Sequence, residues 1–137
     1  MNQYFISGAQ WNYTPEWTPA KKDGWNLEDM SIVDDKGAPR ANIKPRLYAR
    51  KISGLPLSAV TVRDKNRRFV SYELKWQNIP GTGNTEIFIP SHLLTGAGAL
   101  HFSSRSRDMT CIGLLDFQLI TCESKTPGIK TLRISVP

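Results

Sequence analysis

The sequence predicts an all-β fold, an antiparallel β-sandwich of immunoglobulin-like or jelly-roll-like type with about seven strands. Apolar and polar residues alternate with period two in several stretches, and turn-forming Gly, Pro and Asn separate those stretches. No long stretch shows helical periodicity. At 137 residues the chain is predicted to be a single domain, in which an irregular arm (1–45) packs on regular strands (46–137).

The clearest strand is predicted at Phe69–Trp76. Its even-numbered residues are apolar and lie on one side of an extended chain, whereas Ser71, Glu73 and Lys75 lie on the other. We therefore expect Tyr72 and its even-numbered neighbours to face the core.

Weaker signals precede this strand. In chain order they predict a short strand at Ser31–Val33 closed by a turn at Asp34–Gly37, a strand at Arg46–Ile52, a turn or bulge at Gly54–Pro56, and a strand through Val60 and Val62. A hairpin turn at Asp64–Arg67 then leads into Phe69–Trp76, with Asn66 suited to positive φ.

Further strands follow the central one. They are predicted at Thr85–Ile89, Ala99–Ser103, Cys111–Thr121 and Leu132–Val136, with one helical turn, His92–Thr95, capped by Ser91. Cys111–Thr121 is predicted as a single strand because Leu115, Phe117 and Leu119 alternate with polar residues.

The cysteines are expected to be reduced thiols. The start of the sequence has no signal-peptide pattern, and no apolar run approaches the ~20 residues of a membrane span, so we expect a cytoplasmic protein. Cys111 and Cys122 would then remain unbridged, although a break in the strand between them would allow a disulfide.

Charge is distributed in blocks along the chain. The net charge is +6, but residues 1–39 hold six acids and three bases, and residues 40–68 hold nine bases and one acid. A basic patch is predicted at Arg46, Arg50, Arg63, Arg67 and Arg68, where arginines on neighbouring strands would form a stripe interleaved with Tyr48 and Phe69. Basic and aromatic side chains together are typical of single-stranded nucleic-acid binding, and this is the alternative function. Solvated strand faces would have the same pattern.

The arm holds three of the four tryptophans, Trp11, Trp17 and Trp25. Indoles beside Asn, Asp and Thr suit the stacking of sugar rings, and tryptophan is also a frequent hot spot of protein interfaces. We expect these residues to contact a protein or glycan partner unless they are buried in the core. Self-association is also possible, because the acidic arm complements the basic middle of the chain.

No catalytic residue, metal site or cofactor is predicted. His101 could pair with Asp116 and with Cys111 or Ser103, but their spacing matches no nucleophilic motif, and no Cys or His has zinc-like spacing. The sequence therefore predicts a non-catalytic binding or assembly module that contacts a protein or glycan and no membrane. A subunit of a larger bacterial or viral assembly would have these properties.

Overall fold

The computed structural model describes residues 20, 32–34, 36–40, 45–94 and 100–137. Most of these residues lie in strands. The strands are β1 (Tyr48–Lys51), β2 (Gly54–Arg63), β3 (Phe69–Asn78), β4 (Thr85–Phe88), β5 (His101–Ser104), β6 (Met109–Leu114), β7 (Leu119–Ser124) and β8 (Gly128–Ser135). One short helix, α1 (Ser91–Leu94), follows β4, close to the predicted helical turn.

The strands form two four-stranded antiparallel sheets. Sheet A has the order β1-β4-β7-β6, and sheet B has the order β2-β3-β8-β5. This arrangement confirms the predicted all-β, antiparallel, sandwich-like fold, with eight described strands instead of about seven. β1 and β2 follow each other in the chain but lie in different sheets. They therefore do not pair with each other.

The core is built on alternate residues of β3, as predicted. Tyr72, Leu74 and Trp76 are buried, and β8 pairs with β3 so that Leu132 lies opposite Leu74 and Ile134 opposite Tyr72. Sheet A contributes buried side chains from its central strands, including Ile87 and Ile120. Even-numbered positions of β3 therefore anchor the interior, and odd-numbered positions are at most half-buried except for Ser71.

The hairpin between β2 and β3 forms where the sequence predicts it. Asp64 fixes the turn, since its Oδ1 accepts hydrogen bonds from the backbone N–H groups of Asn66 (2.9 Å) and Arg68 (2.8 Å). The residue with positive φ is Arg67 (61°), whereas Asn66 was the predicted one. Gly54 opens β2 with a φ of 130°, and a Cβ there would clash with the carbonyl oxygen of Gln77.

The predicted single strand over Cys111–Thr121 is wrong. The chain reverses in a 3₁₀ turn at Leu115–Phe117, and Gln118 has a φ of 53°, so two antiparallel strands replace one. Cys111 then lies directly opposite Cys122, with 4.1 Å between their Cα atoms, and the two form a disulfide. The expectation of reduced thiols is therefore also wrong, because the break in the strand that bridging requires is present.

A buried polar network joins the two sheets at one end of the sandwich. Ser53 donates its hydroxyl to Asn78 Oδ1 (2.7 Å), and its backbone N–H donates to Thr85 Oγ1 (3.0 Å). Asn78 Nδ2 donates to the carbonyl oxygens of Ser124 (3.1 Å) and Thr126 (2.8 Å). The network links β3 to β4 and to the turn after β7, with its buried polar groups hydrogen-bonded.

The described part of the arm forms a small turn. Val33 makes a β-bridge with Pro39, and Asp34 Oδ1 accepts hydrogen bonds from the N–H groups of Lys36 (2.9 Å) and Ala38 (2.8 Å), in agreement with the predicted turn. These residues belong to a second compact unit, separate from that of residues 46–137. The packing of the arm on the strands stays a prediction. None of the described helices has the length and apolar character needed to cross a membrane.

Candidate functional site

The predicted arginine stripe does not form. Arg50 lies on β1 of sheet A and Arg46 two residues before that strand, whereas Arg63 ends β2 of sheet B and Arg67 and Arg68 follow it in the turn. Tyr48 and Phe69 are likewise on different sheets. The stripe required β1 and β2 to be neighbours, and their separation divides the arginines into two groups.

Residues 63–68 form what we call the hairpin tip. Arg63 Nη1 donates to the carbonyl oxygen of Arg67 (2.9 Å), and the carboxylate of Asp64 is engaged by backbone N–H groups. Lys65, Arg67 and Arg68 form no ion pair with any described acid, since the salt bridges of the described residues lie elsewhere. The tip is therefore a concentrated group of exposed positive charges on a backbone turn that Asp64 holds in place.

The predicted contact residues Trp11, Trp17 and Trp25 lie outside the described residues. Their role as partner contacts stays a prediction. The described strands hold a different set of exposed aromatic and aliphatic side chains, on the outer face of sheet A.

Apolar side chains cross all four strands of sheet A on its outer face. Their order across the sheet is Tyr48, Phe88, Leu119 and Leu114, which are paired in register on β1, β4, β7 and β6. The neighbouring residues Ile87 and Ile120 point into the core, and alternation therefore directs this row outward. The row is partly exposed, with Tyr48 at 44% and Leu114 at 40%. We call it the apolar row.

The 3₁₀ turn extends this apolar surface. Phe117 connects β6 to β7 beside the ends of the row and is 78% exposed, which is the highest exposure among the large apolar side chains described. Ile112, one position along β6 on the same face as Leu114, is 57% exposed. Several exposed apolar side chains on one part of a protein surface are typical of binding sites.

Two aromatic rings meet at the β1 end of the apolar row. The ring centroids of Tyr48 and Phe88 are 5.4 Å apart, and their planes are inclined by 40°. This is the distance range in which aromatic pairs attract each other, and the pairing holds both rings in place. The sheet therefore presents a fixed aromatic surface.

An ion pair lies next to the aromatic pair on the same face. Arg50 Nε is 3.3 Å from Glu86 Oε2, and the Arg50 side chain is well exposed. The strand register explains this geometry, since it shifts between Ala49 and Lys51 and leaves Arg50 as an additional residue in β1. Lys51, Glu86, Thr121 and Ile112 form the next row across the sheet. We call Tyr48, Phe88, Arg50, Glu86 and Thr121 the platform.

A second cluster of polar residues lies around Asp108. Lys130 Nζ donates to Asp108 Oδ2 (2.6 Å), and the hydroxyls of Ser124 (2.8 Å) and Thr126 donate to the same oxygen. These interactions, with that of Lys130 the largest, hold the pKa of the Asp108 carboxyl well below its usual range. Because the Lys130 side chain is almost fully buried, the cluster neutralises a buried cation and stabilises the turns around it.

The residues considered for nucleophilic chemistry do not meet as a trio. Cys111 is half of the disulfide and has no free thiol, Asp116 belongs to the 3₁₀ turn of sheet A, and His101 lies on β5 of sheet B. The sequence signal for the platform was weak, since Tyr48 and Phe88 are forty residues apart and only the pairing of β1 with β4 joins them. Tyr48 was instead assigned to the basic stripe.

No family model and no curated protein matches the chain. Solved structures do resemble it. Endo-glycoceramidase II from Rhodococcus sp., in an iminocyclitol complex, is 15% identical over 80% of this chain and 24% of the enzyme, with a TM-score of 0.57. Sterylglucosidase 1 of Cryptococcus neoformans is 19% identical over 92% of this chain and 21% of the enzyme, also with a TM-score of 0.57. At these identities the similarity concerns the fold, and the chain spans about a quarter or less of either enzyme.

Proposed function

We propose that the chain is a non-catalytic binding module that holds the sugar part of a glycolipid on the platform of sheet A. The observation that carries this proposal is the fixed aromatic pair Tyr48–Phe88 beside the ion pair Arg50–Glu86, on a sheet face that no other described strand covers. The face combines an apolar surface with polar groups within one or two residues of it.

The chemistry of a sugar suits such a surface. The C–H face of a pyranose ring packs on an aromatic ring, whose face carries partial negative charge. Its hydroxyl groups need hydrogen-bond partners, which the carboxylate of Glu86, the guanidinium of Arg50 and the hydroxyl of Thr121 offer. The apolar row and Phe117 would accommodate hydrocarbon next to the sugar. A glycolipid has both of these parts.

The structural neighbours support this ligand class. Their names denote enzymes that act on glycoceramides and on steryl glucosides, in which a sugar is joined to a lipid. The part of each enzyme that resembles this chain is about a quarter or less of its length. A binding role beside a catalytic part therefore fits the size of the match.

Vesicle binding tests the proposal directly. The full chain is mixed with phosphatidylcholine vesicles that contain glucosylceramide, and with plain phosphatidylcholine vesicles, and bound protein is measured by flotation. We expect binding to the glycolipid vesicles alone. Tyr48→Ala should weaken it about tenfold or more, because a lost aromatic contact is worth on the order of 1–2 kcal/mol.

The matched control is Phe102→Ala, which removes an aromatic side chain of similar exposure (38%) from sheet B. This variant should bind like the wild type, and circular dichroism should show that both variants are folded. Equal binding to both vesicle types would mean that the protein recognises the lipid surface and not the glycan, which would contradict the proposal. Absence of binding, or full binding by Tyr48→Ala, would contradict the proposal.

A second candidate function is binding of single-stranded nucleic acid, now confined to the hairpin tip. The observation that favours it is the group of exposed cations Lys65, Arg67 and Arg68 on an ordered turn, which have no acidic partner among the described residues. Arginine and lysine contacts to phosphates release counterions, so the affinity should fall steeply with salt.

Fluorescence anisotropy with a labelled oligothymidine measures this function. If three cations contact phosphates, the logarithm of the binding constant should fall with the logarithm of salt concentration with a slope of about −2. Arg67→Glu with Arg68→Glu should abolish binding. The double variant Arg46→Glu, Arg133→Glu changes the net charge by the same amount and should retain most of the binding. Equal losses in both double variants would indicate general charge attraction rather than a site at the tip.

A further inference from the structure

The outer edge of sheet B is unusually long. β2 (Gly54–Arg63) has ten residues and hydrogen-bonds to β3 alone among the described strands. The other three outer strands, β1, β5 and β6, have four, four and six residues. Proteins usually keep edge strands short, because unpaired N–H and C=O groups along an edge can pair with another chain. This edge lies in the other sheet from the platform.

One half of β2 has the usual protection of an edge, and the other half does not. Pro56 and the register shift between Pro56 and Ser58 interrupt the edge near its beginning. From Ser58 to Val62 the pairing with β3 is continuous. No residue from Gly54 to Val62 is charged, and the first charge is that of Arg63 at the end of the strand.

The unprotected half also exposes apolar side chains. Val60 is 45% exposed and Val62 is 47% exposed, and they lie on the outer face opposite Glu73 and Ser71 of β3. Ala59, which lies between Ser58 and Val60, faces inward, is buried in the core and pairs in register with Leu74 of β3. β-branched residues favour the extended conformation, so this segment is held ready for pairing.

We propose that a second copy of this chain adds its own β2 to this edge, antiparallel, about a two-fold axis at Val60. Ser58 of one copy then lies opposite Val62 of the other, and Val60 lies opposite Val60. The two B sheets would join into one sheet across the axis, and the apolar side chains of both edges would form one continuous ladder on the outer face.

The sequence of β2 favours this occupant and this direction. In the antiparallel arrangement Arg63 of each copy lies opposite Leu57 of the other, and the two arginines are at opposite ends of the contact. A parallel arrangement would place them side by side, where like charges repel. With a net charge of +6 on each chain, repulsion between copies should weaken as salt is added, so the association should tighten with ionic strength.

The test is the oligomeric state combined with site-directed cross-linking. Wild-type protein should form a dimer whose population increases with concentration in sedimentation equilibrium. Val60→Cys should cross-link with a short bis-maleimide, since cross-strand Cβ atoms at the axis would lie about 5 Å apart. The two native cysteines are bound to each other and do not compete. Ile129→Cys, on the same face of the inner strand β8, should give no cross-linked dimer.

Val60→Lys places a charge at the centre of the edge and should weaken the dimer at least tenfold. Ile129→Lys is its control, because Ile129 is more exposed (62%) but lies on β8, which is separated from β2 by β3. A wild-type protein that stays monomeric at all concentrations would overturn the proposal. A dimer that persists in Val60→Lys, or cross-links equally through Ile129→Cys, would show that another surface is used.

Discussion

At the residue scale, Tyr72 is a tyrosine buried in the core. It belongs to β3 of sheet B and is 1% exposed. Burial raises its pKa to about 12, and the nearby backbone of Ala49 lowers the pKa by a smaller amount. The native state therefore favours the neutral phenol more strongly than the unfolded chain does.

The raised pKa predicts a loss of stability at alkaline pH. The contribution of Tyr72 is complete below pH ~10, the pKa in the unfolded chain, and is lost as the pH rises towards the folded value. We expect the free energy of unfolding to fall by on the order of 2–3 kcal/mol between pH 9 and 12 from this residue. Urea denaturation followed by circular dichroism measures it.

Two phenylalanine variants separate this effect from that of other groups. Tyr72→Phe removes the buried phenol and should flatten the alkaline slope, whereas Tyr48→Phe changes an exposed tyrosine and should leave the slope as it is. If Tyr72→Phe lost stability with pH as steeply as the wild type, ionisation of Tyr72 would not be the cause.

Single residues also show where sequence patterns suffice. Period-two alternation placed Tyr72, Leu74 and Trp76 in the core correctly, because one face of a strand is buried regardless of its neighbours. Alternation does not determine which strands become neighbours. For this reason the pair Tyr48–Phe88 could not be predicted, although each residue lies within a predicted strand.

At the element scale, the β6–β7 hairpin differs most from the prediction. Its turn contains neither Gly nor Pro, and the residues Leu115, Phe117 and Leu119 imitate a continuing strand. Gln118 adopts the positive φ at this reversal, although glutamine is only a weak signal for a turn. Once the reversal was missed, the disulfide was missed with it. Disulfides persist mainly in oxidising compartments, so this bond and the predicted cytoplasmic location point in opposite directions.

The disulfide makes a measurable contribution to stability. Cys111 and Cys122 are separated by 11 positions, and the constraint that the bond places on the unfolded chain corresponds to about 3 kcal/mol for a loop of this length. Replacement of both cysteines by alanine should therefore lower the free energy of unfolding by roughly 2–3 kcal/mol. Guanidinium denaturation of the two proteins gives the difference.

A reducing agent provides the internal control for this prediction. Dithiothreitol should destabilise the wild type to about the level of the double variant and should leave the double variant unchanged. Equal stability of oxidised and reduced wild type would mean that the hairpin holds Cys111 beside Cys122 without help from the bond.

At the scale of the whole molecule, the division of strands between two sheets decides which surfaces exist. Residues 40–68 concentrate positive charge along the chain, but the transfer from β1 to β2 crosses from sheet A to sheet B and separates Arg50 from Arg63. The same crossing leaves β2 as an outer strand among the described strands of sheet B and brings β1 beside β4, where the platform forms. Fold class could thus be predicted from local patterns, whereas the sites depend on strand order.

The position of β8 has a consequence for the order of events during synthesis. β8 is the last of the described strands along the chain, yet it occupies the interior of sheet B and pairs with β3 from Asn78↔Gly128 to Ser71↔Ser135. The ribosome needs roughly 3–10 s to make the fifty or so residues between these strands. Until β8 is made, one side of β3 lacks its hydrogen-bonding partner, and Tyr72 and Leu74 lack their neighbours Ile134 and Leu132. We therefore expect a chain that lacks β8 to aggregate more readily than the complete sandwich, because it exposes an unpaired apolar strand.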